Sequence, residues 1–435
     1  MTSKLSDVVF EYTGNEIVPK DVVSVRIHPS VINIEDETFS GCKQLRKVEF
    51  NEGLQKIGYR AFHGCVVLQK IKIPSTVIKI GNWAFRGCTG MKEVALNEGL
   101  TEIGNRAFTS CNALQSISIP SSILEIKAET FARCIDLEEV VLNDGLKMIS
   151  QCSFELCQSI ESITLPSTVV KIGFGAFQYC NKLREVVLNE GLTSIKTKVF
   201  EQCTALKSIT IPSTIAEIGT SSFEGCCKLK EVELHEGLWM IGDNAFKDCS
   251  LLESITIPST VTRIGKMSFK NCISLSQVIM NGIIKQMPPI PFMKLEQDLF
   301  AGCSSLKRIR FPIISKRLEY IILTGHLEVE NKVYEILHRG DIRHLLLWRG
   351  SELFVWTPTI GSASGVSSYW ACIKQSIDQI TKAVSYYERK EATILFELAL
   401  WKAKIDQAGD TSSINRDACR IEVPGPVKDA ILQYL

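Results

Sequence analysis

Apolar residues up to about position 312 recur on a fixed grid rather than along one helical or strand-like stripe. Cys42, Cys65, Cys88, Cys111, Cys134, Cys157, Cys180, Cys203, Cys226, Cys249 and Cys272 are each 23 residues apart, and Cys303 follows 31 residues later. A phenylalanine stands three residues before every one of them, from Phe39 and Phe62 to Phe269 and Phe300. Leu, Met or Ile stands three residues after, as in Leu45, Met91, Leu114 and Ile160. Next come alternating apolar pairs such as Val48/Phe50, Ile71/Ile73 and Val140/Leu142. Alternation of this kind is the period of a half-buried strand. Leu54, Val77, Leu100 and Ile123, then Ile57, Ile80, Ile103 and Ile126, complete the period. Each repeat therefore predicts a short strand, a turn, a second short apolar segment and a tight Ala-Phe turn. A short fixed period is the mark of a solenoid in which each repeat contacts mainly its neighbours. About twelve rungs stacked at ~4.8 Å make a core roughly 55 Å long. With about six buried apolar side chains per rung at roughly 1.5–3 kcal/mol each, such an array needs no disulfides.

A second beat of 46 residues lies on the first. Asn-Glu-Gly turns (Gly53, Gly99, Gly145, Gly191, Gly237, with variants) alternate with Pro-Ser turns (Pro74, Pro120, Pro166, Pro212, Pro258). Both are turn chemistries, and a duplicated two-rung unit accounts for them. A glycine also follows the last rung isoleucine at 58, 81, 104, 173, 219, 242 and 265, but Lys127, Ser150 and Lys196 replace it elsewhere. That position is therefore not expected to require a positive φ.

These residues resemble the leucine-rich repeats of the BspA-like (Treponema-type) class, whose 23-residue rungs share the Ala-Phe-x-x-Cys ending. The resemblance covers about residues 22–312. It implies a leucine-rich-repeat solenoid, β-rich with short strands and tight turns, used for binding and carrying no general catalytic activity. Residues 1–21 then form an N-terminal cap over the first open end. The Pro-rich stretch 281–295 is a loop insertion, followed by one last rung ending near Phe311-Pro312.

Beyond it, residues 313–435 lose the beat and hold Trp348, Trp356, Trp370 and Trp401. Val329, Val333, Ile336 and Leu337 have helical spacing, and 343–356 reads as strand or extended chain. Ser367 or Ser368 is placed to cap a long helical region reaching about Ala408. We expect a mostly helical C-terminal cap or extension, similar to C-terminal extensions on diatom repeat proteins of this class. It either buries the last rung or recruits a second partner.

Composition narrows the function. With 45% hydrophobic and 22% charged residues and a net charge of +1, the chain is neither a disordered segment nor a binder with a basic nucleic-acid surface. There is no apolar run behind a basic N-terminus, no membrane-length apolar run and no Asn-x-Ser/Thr sequon. We expect a cytoplasmic or other intracellular monomer that is not inserted in a membrane. Twelve of the 16 cysteines mark rungs; Cys152, Cys227, Cys372 and Cys419 lie off the ladder. The ladder thiols are expected to be buried and unpaired, because parallel Cβ vectors are wrongly aimed for a disulfide. No Cys-x-x-Cys, zinc spacing, phosphate loop or dinucleotide fingerprint occurs, and Ala363 stands where a Gly-x-Ser-x-Gly nucleophile would. Neither a cofactor nor an enzyme activity is expected.

The candidate site is the outward side of the strands. Seven residues past each cysteine the chain reads Glu49, Lys72, Ala95, Ser118, Val141, Thr164, Val187, Thr210, Glu233, Thr256, Ile279 and Arg310. The ends are charged, and the middle is small and neutral. Val141, Thr164, Val187 and Thr210, flanked by Glu139 and Glu185, are the expected partner-binding strip. The plainer alternative is that Val and Thr are good strand formers and the acids are solvated. An acidic line of Glu52, Glu98, Asp144, Glu190 and Glu236 adjoins this face. Trp83 and Trp239 occupy freely varying positions, as an interface hot spot or as packing against a neighbour. These features predict a non-enzymatic protein-interaction scaffold. The alternative is a cell-surface adhesin or receptor-like recognition protein.

Overall fold

The computed structural model describes residues 9–281, 294–295, 299–306, 308–312, 346–349 and 352–356. The chain divides into two compact units, Met1–Asp378 and Gln379–Leu435. The second lies outside the described residues, as do the helical segments expected after residue 356, so the described structure is a β-solenoid without helices. No described helix is long and apolar enough to cross a membrane. The twelve cysteine marks bound about eleven turns of this solenoid.

Every regular turn carries two strands. The longer ones, such as Ser116–Ile119, Glu139–Leu142, Ser162–Thr164 and Glu185–Val187, form a strand face. The two-residue ones, from Asn33–Ile34 to Lys294–Leu295, form a second, side face. Pairing is parallel with a register of one rung, as in Ile163↔Val186 and Ile218↔Ile241. After the insertion the register steps by 31 residues, with Gln277 opposite Arg308 and Arg263 opposite Lys294. The eight extra residues are thus absorbed without shifting which side chains face inward. At the two ends of the strand face, Val9–Tyr12 pairs with Ser24–Ile27, and Glu352–Trp356 runs antiparallel to Arg308–Pro312 and to Leu346–Arg349.

The inward grid is a stack of identical side chains. The rings of Phe39 to Phe300 lie 5.0 to 5.7 Å apart and nearly parallel. Tyr12 closes the first end edge-on against Phe39 at 5.3 Å. All described cysteines are free thiols, and those from Cys42 to Cys272 on the ladder are buried. They are not merely apolar fillers. The Cys65 Sγ donates to the Phe39 carbonyl at 3.2 Å, Cys157 to Phe131 at 3.1 Å and Cys272 to Phe246 at 3.1 Å. Each such carbonyl also accepts the backbone N–H of its own rung's cysteine, for example Cys134 N to Phe131 O at 3.2 Å. Burial pushes the Cys111, Cys157 and Cys203 thiols up, and that of Cys134 to about 12.

Turning the chain around the phenylalanine takes two left-handed residues per rung. They lie five residues and one residue before the cysteine, as in Arg60 (φ 50°) with Gly64 (73°) and Glu129 (55°) with Arg133 (62°). The glycine after the rung isoleucine is not among the positive-φ residues, as its replacements suggested. Its reason is close approach: a Cβ at Gly81 would come within 2.7 Å of the Gly58 carbonyl, and one at Gly219 within 2.6 Å of the Thr197 amide.

The 46-residue beat has a physical cause. Asn97 Nδ2 donates to the carbonyls of Pro74 (2.6 Å) and Val77 (3.2 Å), while its Oδ1 accepts the Gly99 amide at 2.7 Å. Asn51 and Asn189 repeat the pattern. In return the Pro-Ser rungs send hydroxyls back: Thr76, Ser122, Thr168, Thr214 and Thr260 donate to the carbonyls of Leu54, Leu100, Leu146, Leu192 and Leu238 at 2.6 to 2.8 Å. Each turn type satisfies backbone groups that the other leaves open. The strand face shows the same unit, because each Pro-Ser strand pairs with the Asn-Glu-Gly strand that follows it.

Candidate functional site

The strand face changes character along its length. At its start, Arg26 Nε meets Glu49 at 2.9 Å and Lys70 meets Glu93 at 2.7 Å. Hydrogen bonds from Lys47 and Arg26 hold the Glu49 carboxyl below the usual carboxylate range. In the middle Arg184 and Glu161 pair just before the strands, at 3.7 Å, but Glu139 and Glu185 are exposed and form no ion pair among the described residues. Between them stand Val141 (40% exposed), Thr164 and Val187 (44%). Thr164 and Val187 are direct ladder partners, so their side chains project together, whereas Val141 and Thr210 belong to the neighbouring two-rung units. The Thr210 hydroxyl donates to Glu233 at 3.1 Å, which ties that end of the strip to the next rung. The geometry therefore collects the expected strip on one surface: an aliphatic and hydroxyl band about four rungs long with two free carboxylates on one margin.

Four of the five acids of the adjoining line, all but Asp144, are engaged within the protein. Ser121 donates amide and hydroxyl to Glu98 at 3.0 and 2.9 Å, Ser213 donates to Glu190 at 2.9 Å, and Ser259 donates to Glu236. Burial acts to raise the Glu236 carboxyl, but the hydrogen bonds from Ser259 and Thr260 outweigh it and hold the group below its usual range.

Neither tryptophan joins the strip. Trp83 occupies the left-handed position five residues before Cys88 (φ 62°), with the guanidiniums of Arg60 and Arg86 each 4.6 Å and Arg106 5.3 Å from its ring. Trp239 is 46% exposed and stands just before the side strand Met240–Ile241. Among the described residues no group of three or more His, Cys, Asp or Glu is placed to hold a metal ion. A shallow cleft of about 610 Å³ on the side face, around Lys127, Lys171 and Lys196, was not anticipated from the sequence. Its visible signal was the interrupted glycine column.

The repeat region matches the model of the BspA type leucine rich repeat region over residues 19–136, 101–226, 170–296 and 226–321. The chain belongs to this family of leucine-rich-repeat proteins. Among solved structures it is similar to a leucine-rich repeat protein from Bacteroides ovatus, at 32% identity over 67% of this chain and 73% of that one, with a TM-score of 0.60. A leucine rich cell surface protein from Faecalibacterium prausnitzii is 25% identical over 71% of this chain and 91% of that one, with a TM-score of 0.44. No curated protein matches the chain. Proteins of this kind are in general protein-interaction or surface-associated repeat proteins and typically non-enzymatic.

Proposed function

We propose that this protein is a non-enzymatic recognition scaffold that binds a protein partner through the middle of its strand face. The observation that carries this reading is the contrast along one surface: charges are paired at its start, while half-exposed valines beside unpaired Glu139 and Glu185 occupy its centre. A rigid stack of rungs holds these side chains at fixed spacing, so little ordering entropy is lost when a partner docks. Valines 141 and 187 supply the apolar centre, Thr164 and Thr210 the adaptable hydroxyls, and the two glutamates a preference for a basic rim on the partner. Residues 1–21 serve as the N-terminal cap in this reading, and 313–435 as the C-terminal extension. The test replaces Glu139 and Glu185 by Lys and Val141 and Val187 by Arg in the full chain. The variant is expected to keep the wild-type circular dichroism spectrum and melting temperature and to lose the proteins recovered with the wild type from its source cells. Recovery of the same proteins in the same amounts would reject this face.

A further inference from the structure

We infer that the cleft on the side face is a second binding site, which takes an extended acidic segment of a polypeptide carrying apolar residues. It goes beyond the strand-face reading and uses different residues.

The cleft arises where three repeating features of the side face lapse together. The first is the glycine column. Where glycine stands, the backbone of the preceding rung lies so close that a Cβ would fall 2.5 to 2.7 Å from it, as at Gly173 and Gly242. Lys127, Ser150 and Lys196 occupy this position in three of four successive rungs, and the ladder gives way at Lys127 and Lys196, while the Ser150 amide still donates to the Ile126 carbonyl at 2.9 Å. The side ladder is divided between Glu102–Ile103 and Glu125–Ile126, at Lys127. At Lys196 only one residue pair remains, Ile172↔Ile195, where neighbouring strands form two.

The second feature is a row of backbone amides. At four rungs the residue one after the glycine column is an Asn or Asp whose side chain accepts the amide of the next rung. Asp36 Oδ1 takes the Tyr59 amide at 2.7 Å, Asn82 that of Asn105 at 2.8 Å, Asn105 that of Ala128 at 3.1 Å and Asp243 that of Lys266 at 2.9 Å. Along the cleft the row reads Ala128, Gln151 and Phe174, and the amides of Gln151, Phe174 and Thr197 find no acceptor among the described residues. The protein itself thus shows what these amides bind: a carboxylate or carboxamide oxygen, one per rung.

The third feature is charge. The nearby carboxylates are already used, Glu102 by Lys79 and Lys127 and Glu125 by the Ser150 hydroxyl at 2.6 Å. Lys171 and Lys196 are exposed and unpaired among the described residues, as is Lys147 just above. Apolar side chains line the same groove, the partly exposed Met148 and the 43% exposed Phe174. From Asn105 to Thr197 the cleft spans four rung spacings, about 19 Å. Six extended residues at ~3.3 Å each fill that length. Ligand carboxylates would take the places of the missing Asn and Asp oxygens against the three amides and the lysines, and alternate side chains would lie on Met148 and Phe174.

The probe is a fluorescein-labelled octapeptide of alternating Glu and Leu, titrated into the full chain and read by fluorescence anisotropy. Saturable binding is expected, weakened at least about tenfold by K171E with K196E. It should fall equally with A128N and Q151N, which rebuild the internal acceptors without removing any charge. The strand-face variant E139K/V141R/E185K/V187R should bind the peptide like the wild type, so this site and the strand face can fail separately. The proposal is overturned if the peptide does not bind, if A128N/Q151N binds it unchanged, if an alternating Lys-Leu peptide binds as well, or if inorganic phosphate at matched ionic strength displaces it completely.

Discussion

Replacing Phe154 by Ala removes one ring from the middle of the aromatic column. The ring is fully buried and stacked on Phe131 at 5.5 Å and on Phe177 at 5.4 Å, with interplanar angles of 12° and 2°. A buried Phe→Ala change costs about 3–5 kcal/mol in transfer and cavity energy. Two aromatic contacts of about 0.5–1.5 kcal/mol each are lost as well. Collapse of the column across the gap is opposed because Cys157 and Cys180 fix the adjoining carbonyls, donating to Phe131 and Phe154 at 3.1 and 3.3 Å. In a solenoid, stability is a sum of rung terms and nearest-neighbour interfaces, so a loss of this size falls on the two interfaces flanking one rung. The assay is a urea titration followed by circular dichroism, with hydrogen exchange read peptide by peptide. The expected result is a transition broadened or split in two, with amides of residues 131–177 losing protection first. A single transition with unchanged slope and a stability loss below about 1 kcal/mol, or protection lost evenly over the array, would refute the reasoning.

Alkaline pH should destabilise the array. Buried thiols such as Cys111, Cys157 and Cys203 stay protonated in the folded state, and Cys134 does so up to about 12 against an ordinary value near 9, so above pH 9 the unfolded chain releases protons that the folded chain keeps. Stability is then intact below pH 9 and falls as pH rises, by about 1.4 kcal/mol per pH unit for each such thiol; a urea midpoint that stays flat from pH 8 to 10.5 would contradict this. For Asn97→Ala, two rung carbonyls and the Gly99 amide lose their partner, and a cost of about 1–3 kcal/mol is expected in the same titration. Gly81→Ala should destabilise by steric conflict with the Gly58 carbonyl, whereas Lys127→Gly should leave the melting temperature unchanged or raise it; the opposite order would show that close approach does not set the glycine column.

Much of this was legible in the residues because a solenoid repeats its errors as faithfully as its rules. The Phe and Cys columns, the inward alternation and the 46-residue beat all recur, and each fell where the grid placed it. What the grid could not show was which backbone group each side chain satisfies. Cys157 reads as a small apolar residue until its thiol is seen to donate to the carbonyl of Phe131. Asn97 reads as a turn former, although its amide also caps the rung before. The acidic line read as an exposed edge, yet Glu98 and Glu190 each accept from a serine one rung on. The strip on the strand face was legible because outward positions alternate with buried ones. The cleft was legible only as an interruption of the glycine column at Lys127, Ser150 and Lys196, because no linear pattern records that the side ladder breaks at Lys127 and thins at Lys196. Trp83 stood out in the sequence, but nothing there announced the three arginines gathered around it.

The most direct measurement of the recognition role is site-specific photocrosslinking on the strand face. p-Benzoylphenylalanine replaces Thr164, the residue beside Val187 at the centre of the strip, and in a matched protein replaces Thr262 before the side strand Arg263–Ile264. Irradiation in an extract of the source cells should give a discrete higher-mass adduct containing one partner from position 164 and none from 262. Adducts of equal yield from both positions, or from 262 alone, would contradict binding through the strand face.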